Sequence, residues 1–577
     1  MKRSLIACWL AVLVLLTYRI SYMKLDSKEP FVVTTWDALG YYFYLPSAFI
    51  YHDASELKWF SKIDSAYSVS GGQLYQAGKS KNGNYVFNYL SGVAILQAPF
   101  FLTAHAVAGI AGYARDGFSP PYQYAIAFSA IIYCVLGIFL LRKILLNYFD
   151  DATTAVTLLL LLLASNFVQY VSIDGAMSHS YIFSMYVLVL YAAMKWHEKP
   201  AVRWACITGF IIGLATISRP TELIILFIPL LWGLQTKESS KQKWDSVKAN
   251  KSHIVYAALC GFIGVLPQMI YWKITSGSFI YDVGSKWDFL SPHFRVLFGW
   301  EKGWFIYTPV TVLFVAGLFF MKKFPFRKSV ITFCLLNIWV ITAWHDWRYG
   351  ASYSCRALVE SYPVFALALG TFIQKINFSR WKYAFYAVGC YLIFVNLFQI
   401  VQYNSTLLHY NDMNRKYYSG IYLNMHPSPF DMSLLDTDEM LTDESNYQKI
   451  ILANADSISN IALEPYASSS LFETKISTAE TKNNNHEDWI KIEATITIRK
   501  GTWGCFINSE LQTGDSIKHD KVRLQNAISS PGKDNEYGFY VKVPEYFRQS
   551  IFRLSIYSPC ELEGEIKKMK VTRLTSR

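Results

Sequence analysis

Within its first 402 residues the chain carries twelve apolar runs, with clusters of lysine and arginine standing between them. The runs cover 5–20, 88–112, 121–141, 153–172, 180–194, 203–218, 221–234, 253–272, 304–321, 329–343, 357–374 and 382–402. Such a pattern calls for a bilayer as solvent, and there every backbone polar group has to be satisfied inside helices or a closed barrel. The run lengths fit helices. Charged residues make up 17% of the 577, against about 25% in soluble domains, and hydrophobic residues 53%. The net charge of +12 is unevenly divided: residues 431–577 hold 18 basic and 22 acidic side chains, leaving 36 and 20 in the first 430. Basicity placed between apolar runs marks cytoplasmic membrane loops rather than a nucleic-acid groove. A soluble enzyme, a disordered chain and a disulfide-framework protein are excluded, and no nucleic-acid partner is expected.

The first run follows Lys2-Arg3 and leaves through Thr17-Tyr18-Arg19-Ile20-Ser21-Tyr22, with no small-x-small cleavage site. It is expected to be a retained anchor with a cytoplasmic N-terminus rather than a cleaved signal peptide. Arg142-Lys143 and the clusters in 195–203, 237–251, 322–328 and 375–382 should all be cytoplasmic. An even number of crossings must then separate each from the next. Three runs lie between Lys2-Arg3 and Arg142-Lys143, so one does not cross. The run 88–112 contains Asn88, Gln97, Pro99 and His105 and lacks a basic exit. It is expected to be a re-entrant or interfacial helix on the outer face. About eleven spans remain, with an outward loop over 21–120 and outward segments at 172–179, 218–221, 273–303 and 344–356 around one cavity.

Beyond about residue 403 the apolar runs stop. From Trp489 apolar and polar residues alternate through Ile490-Lys491-Ile492-Glu493-Ala494-Thr495-Ile496-Thr497-Ile498, and the pattern returns at 537–543 and 552–557. Period-two alternation with Gly, Pro and Asn between the segments predicts a small antiparallel sandwich. Three regions follow: a mainly α membrane domain at 1–403, a polar connection at 404–486 and a β-rich domain at 487–577 on the outer side. Six of the nine cysteines lie in apolar runs, while Cys355, Cys505 and Cys560 face outward, and a Cys505–Cys560 bridge is open in an oxidising compartment.

Gly72 to Gly78-Lys79-Ser80 is near a phosphate loop, but five residues separate the glycines where four are required. No GxGxxG follows a soluble strand, so any substrate must be delivered in or across the membrane. The first outward loop opens with Thr35-Trp36-Asp37-Ala38-Leu39-Gly40-Tyr41-Tyr42-Phe43-Tyr44. Asp37 there is either a helix N-cap or a functional acid.

With that segment stand several others: Asn88-Tyr89-Leu90-Ser91-Gly92 to Ala98-Pro99-Phe100-Phe101, Ser178-His179-Ser180-Tyr181, Ser218-Arg219-Pro220, Gly303-Trp304-Phe305-Ile306-Tyr307-Thr308-Pro309, and Trp347-Arg348-Tyr349-Gly350 leading to Arg356. In this order, over roughly 1–400, the chain resembles the GT-C class of integral-membrane glycosyltransferases, which includes the protein O-mannosyltransferases and the lipid A aminoarabinose transferase. The resemblance implies a polyprenyl-phosphate-linked sugar donor, and a lipid, glycan or protein acceptor outside the cytoplasm. Many relatives carry a paired acidic motif in the first loop. Here Ala38 follows Asp37, so a divalent metal is not favoured and no cofactor is assigned.

The residues fit such a reaction. A hydroxyl acceptor needs a general base, for which Asp37 is the candidate. A lipid-phosphate leaving group is already a stable anion and needs cations, for which Arg219, Arg356 and Lys81 are the candidates. Arg219 and Arg356 have local alternatives, pairing with Glu222 and with Glu360 on the next helical turn. Tyr41, Tyr42, His179, Trp304 and Trp347 are candidate substrate contacts, though interfacial aromatics have the same look. His345 and Asp346 form only a two-ligand metal pattern. The expected activity is inverting sugar transfer. An oligosaccharide ligase or polymerase using a diphosphate-linked donor and a lipid-linked-sugar transporter are the alternatives. The expected location is a bacterial inner membrane, with the β-rich domain in the periplasm.

Overall fold

The computed structural model describes residues 2–23, 31–476, 487–524 and 532–576, with the backbone alone at 456–459. The last part of the connection expected over 404–486 and part of the β-rich domain lie outside the described residues. Two compact units are formed, Met1–Ile400 and Val401–Arg577.

The first unit is mainly helical. Its principal helices are α1 (Arg3–Ser21), α2 (Trp36–Tyr42), α3 (Gly92–Ile110), α4 (Pro120–Leu145), α5 (Asp151–Leu163), α6 (Ser178–Glu198), α7 (Val202–Thr216), α8 (Lys251–Ser276), α9 (Arg327–Thr342), α10 (Tyr362–Asn377) and α11 (Lys382–Asn404). Among the described residues six helices are long and apolar enough to cross a membrane: α1, α3, α4, α8, the segment Arg356–Asn377 that ends in α10, and α11. Shorter apolar helices stand at α5, α7, Pro220–Leu231 and Thr311–Phe320. The chain is a multi-pass membrane protein. The run assigned by parity to the outer face forms α3, which length and composition also allow to cross.

Local chemistry sets the helix ends. The Asp150 carboxylate accepts from the backbone N–H groups of Ala152 and Thr153 and starts α5. Proline stands at the first positions of α4, and Arg142 and Lys143 close its last turn, where the helix dipole favours cations. Between α7 and α8 the packing is the most extensive between helices in this unit. Its cause is a Gly209-x-x-x-Gly213 stripe facing Ala257 and Gly261: a Cβ on Gly209 would overlap the Ala257 carbonyl, and one on Gly213 that of Gly261. Small residues let membrane helices approach to backbone contact.

The first loop folds around its own aromatic core. Leu39, Tyr42, Phe43, Phe60, Phe87, Phe101 and Phe118 are buried together. A short hairpin, Ala77–Lys79 paired with Tyr85–Phe87, closes that core. Tyr42 is fully buried, its ring packed edge-on against Phe101 and Phe118 and its hydroxyl donating to the Gly117 carbonyl. It is a core residue, not the substrate contact expected.

The second unit carries two four-stranded antiparallel sheets. With β1 (Tyr447–Leu463), β2 (Ala467–Ile476), β3 (Asp488–Lys500), β4 (Phe506–Thr513), β5 (Ser516–Arg523), β6 (Asp534–Val543), β7 (Ser550–Ser558) and β8 (Leu562–Ser576), the orders are β1-β8-β3-β6 and β2-β7-β4-β5. The alternation read at 490–498 is realised: Ile490, Ile492, Ile496 and Ile498 are buried with Phe539, Phe552, Leu554 and Ile556. The sheets begin well before residue 487, because β1 and β2 come from the stretch expected to be a polar connection. β2 reads Ala-Ser-Ser-Ser-Leu-Phe-Glu-Thr-Lys-Ile and is an edge strand held by backbone pairing to β7, so alternation is weak there. Cys505 and Cys560 come together beside the Ser558 hydroxyl, at 3.1 Å and 3.6 Å.

Replacing Gly213 with leucine should separate α7 from α8, at a cost of at least the ~1–3 kcal/mol typical of overpacking. A clear drop in the thermal-unfolding midpoint of detergent-solubilised protein checks this, with Gly213→Ala falling in between.

Candidate functional site

Asp37 lies in the first turn of α2, but it does not cap the helix; the N-cap residue is Thr35. Its carboxylate is engaged elsewhere. Oδ1 accepts from the hydroxyls of Tyr89 at 2.7 Å and Tyr75 at 2.8 Å, and Oδ2 accepts from Arg356 Nη2 at 2.5 Å. Burial alone would raise the acid's pKa. The Arg356 guanidinium and the two phenols outweigh that and hold the carboxyl at about 2, against an ordinary 3.8.

The backbone on both sides of this ion pair is strained. Trp36, just before Asp37, has φ 51°, and Tyr349 and Ser354, just before Arg356, have φ 54° and 57°. Non-glycine residues in the left-handed region cost roughly 1–3 kcal/mol each and persist only when the surroundings fix them. Lys302 supplies part of that fixing. It is 1% exposed, and its ammonium donates to the carbonyls of Gly350 and Ser352 and to the Ser352 hydroxyl, holding the turn that delivers Arg356. Burial, with help from the nearby Arg356 charge, lowers its pKa to about 7.

A second ion pair stands beside the first. Arg219 Nη1 donates to Glu360 Oε1 at 2.8 Å, and His179 Nδ1 meets the same oxygen at 2.8 Å. The Tyr41 hydroxyl donates to Ser178 Oγ, which donates in turn to Glu360, so α2 is hydrogen-bonded into this pair as well. Neither of the two local alternatives is formed as a hydrogen-bonded pair. Glu222 accepts from Tyr186 and Thr221, while Arg219 reaches Glu360; Glu360 is left by Arg356, which reaches Asp37. His179 Nε2 is buried and without a hydrogen-bond partner among the described residues.

Asp37, Arg356, Arg219, His179 and Tyr41 are thus brought together. The other candidates are not. Trp304 is fully buried, its N–H donating to the Tyr362 hydroxyl and its rings against Phe314 and Phe365, so it offers no face to a sugar. Trp347 is buried and overlain by the guanidiniums of Arg295 and Arg348. Lys81 is exposed in the hairpin turn. His345 pairs with Asp288, which also takes His293, rather than acting with Asp346. Among the described residues no group of three or more His, Cys, Asp or Glu is set to hold a metal ion.

Sequence reading assigned no site role to Tyr75, Lys302 or Asp174, nor to Tyr89, although Tyr89 stands in the motif at 88–92. Asp174 accepts from Gln169 at 2.9 Å, and burial raises its pKa, offset by that bond and by the Arg356 and Arg19 charges. A signal existed for it: Asp174 is the sole acid in the outward segment 172–179.

Residues 121–272 match the family model described as dolichyl-phosphate-mannose-protein mannosyltransferase, a GT-C family. The match bears out the GT-C resemblance over that stretch, which holds Asp174, His179, Arg219 and Glu222. No curated protein matches the chain. Among solved structures, the oligosaccharyltransferase AglB of Archaeoglobus fulgidus, in complex with an inhibitory peptide and a dolichol-phosphate, is similar at 12% identity and TM-score 0.44, covering 76% of this chain and 61% of its own. ArnT of Cupriavidus metallidurans bound to undecaprenyl phosphate is similar at 13% identity and TM-score 0.42, covering 75% and 70%. The arabinosyltransferase EmbB of Mycobacterium smegmatis is similar at 9% identity and TM-score 0.35, covering 99% and 64%. The chain thus spans less than two thirds of the AglB and EmbB chains.

The Asp37 carboxyl should stay ionised down to about pH 2. Because its folded pKa is depressed, its contribution to stability is full above about 4 and is lost as pH falls through about 2. Replacing Arg356 with methionine removes the cation, leaves the Tyr89 and Tyr75 bonds, and should move the titration upward from about 2. The carboxylate stretch in infrared difference spectra, assigned by its loss in Asp37→Asn, reads the shift.

Proposed function

We propose that this protein transfers a sugar from a polyprenyl-phosphate carrier to a hydroxyl acceptor on the outer face of a membrane, in the manner of the GT-C glycosyltransferases. The observation that carries the reading is the pair of arginine–carboxylate contacts, Arg356–Asp37 and Arg219–Glu360, tied through Tyr41 and Ser178 into one polar cluster in which Glu360 is buried and the other three charges are partly exposed. Paired charges largely withdrawn from water are costly to hold and mark candidate chemistry.

In this reading the acceptor oxygen attacks the anomeric carbon as its proton passes to Asp37. The bond from that carbon to the carrier's phosphate oxygen breaks, and the electron pair leaves with the phosphate, so configuration is inverted. Arg356 and Arg219 receive the phosphate, because the guanidinium fork can offer two hydrogen bonds to one anion. Tyr41 and His179 line the same cluster and orient substrate. Lys81, exposed in its hairpin turn, attracts the anionic donor. The chemistry asks for no cofactor. In a bacterium the membrane is the inner membrane and the β-rich domain is periplasmic.

Asp37→Asn keeps the shape and removes the base. Transfer from a polyprenyl-phosphate sugar by the purified variant should fall by about 100-fold or more, with folding and membrane insertion unchanged. Near-normal turnover by this variant would remove Asp37 from the chemistry.

A further inference from the structure

We propose that the Asp37–Arg356 ion pair is a lock opened by the donor: the carrier's phosphate takes Arg356 away from Asp37, and Tyr75 and Tyr89 hold the freed carboxylate in place to receive the acceptor's proton. This rests on the roles given above to Asp37 and Arg356, and adds an order of events to them.

The first support is occupancy. As the structure stands, Oδ2 of Asp37 is taken by Arg356 and Oδ1 by two phenols, so the base is fully engaged before any substrate arrives. A carboxylate held at about 2 by a guanidinium is also a weak base. Losing the cation raises proton affinity, because burial is then opposed by the two phenols alone.

The second support is the asymmetry of the grips. Among the described residues Arg356 has Asp37 as its carboxylate partner, and its other hydrogen-bond contact is the weak acceptor Met177 Sδ at 3.8 Å. The donor's phosphodiester offers the fork two non-bridging oxygens, whereas Asp37 offers it one, because Oδ1 is taken by the phenols. The Tyr89 ring is packed in place, and the backbone that carries Tyr75 is tied down. Tyr89 lies against Gly40, where any Cβ would overlap its ring, and its backbone carbonyl takes the Tyr44 hydroxyl. Tyr75 is held through its carbonyl by Asn88, and its neighbour Gln76 donates to the Trp36 carbonyl, directly beside Asp37. The two tyrosines are therefore positioning residues. They keep Asp37 fixed while its charge partner changes.

A lock makes an unusual demand: removing the base must tighten donor binding. The test is a double-mutant cycle on full-length protein in nanodiscs, with the affinity for undecaprenyl phosphate measured for wild type, Asp37→Asn, Arg356→Gln and the double variant. Asp37→Asn is expected to bind about ten-fold tighter than wild type, since a competing anion worth roughly one decade is removed, and the gain should vanish when Arg356 is also absent. Equal or weaker binding by Asp37→Asn overturns the lock, as does a gain of the same size in both backgrounds, which is general charge removal. If Arg356→Gln binds as tightly as wild type, the phosphate role of Arg356 falls, and the transfer reading loses that residue. Wild-type protein supplies a check that needs no variant to fold: adding undecaprenyl phosphate should shift the Asp37 carboxylate band, and an unmoved band contradicts the lock. Tyr89→Phe should retain donor affinity and lose kcat; loss of affinity with kcat retained would contradict its positioning role.

Discussion

Everything at the site depends on one ion pair between residues 319 positions apart, Asp37 on the first loop and Arg356 at the entrance to a long apolar helical segment. Neither charge could be buried alone. The cost of desolvating Asp37 is offset by Arg356 together with the Tyr89 and Tyr75 hydroxyls, so the aromatic fold of the first loop and the turn ahead of Arg356 have to be fixed together. The supports are visible. A core of Tyr42, Phe43, Phe87 and Phe101 sets α2 in place, while the Lys302 ammonium ties down the carbonyls of the opposing turn. Left-handed backbone at Trp36, Tyr349 and Ser354 marks where these constraints meet.

The second pair, Arg219 with Glu360, repeats the same physics beside the first, and the two arginines give the cluster its character. Each is paired with one carboxylate, so the two pairs together carry no net charge. His179 shares the Glu360 oxygen, and its Nε2 has no hydrogen-bond partner among the described residues.

Much of this was legible in the residues. Apolar runs and basic clusters give the helical membrane unit, and alternation at 490–498 gives the centre of the sandwich. Asp37, Arg219, Arg356 and His179 were singled out, and they do meet. Their partners were not legible. Pairing rules drawn from helical spacing put Arg219 with Glu222 and Arg356 with Glu360, whereas the fold exchanges both, because contacts between distant segments leave no local spacing to read. Trp304 and Tyr42 show the opposite failure: an aromatic beside a cavity and an aromatic in a core look alike in sequence. Edge strands β1 and β2 escaped because backbone pairing, not side-chain alternation, holds them. The α7–α8 contact rests on a Gly-x-x-x-Gly stripe that stands openly in the sequence and was passed over amid the apolar residues around it.

The most direct measurement is made in cells. Lipid-linked sugars and surface glycans are profiled by mass spectrometry in cells lacking this protein and in the same cells with it restored at native level. A transferase at this site predicts that one polyprenyl-phosphate sugar accumulates and that one glycan, lipid or protein loses that same sugar, with both reversed on restoration. If the carrier pool and every acceptor are unchanged, sugar transfer from a polyprenyl phosphate is not what this cluster of charges does.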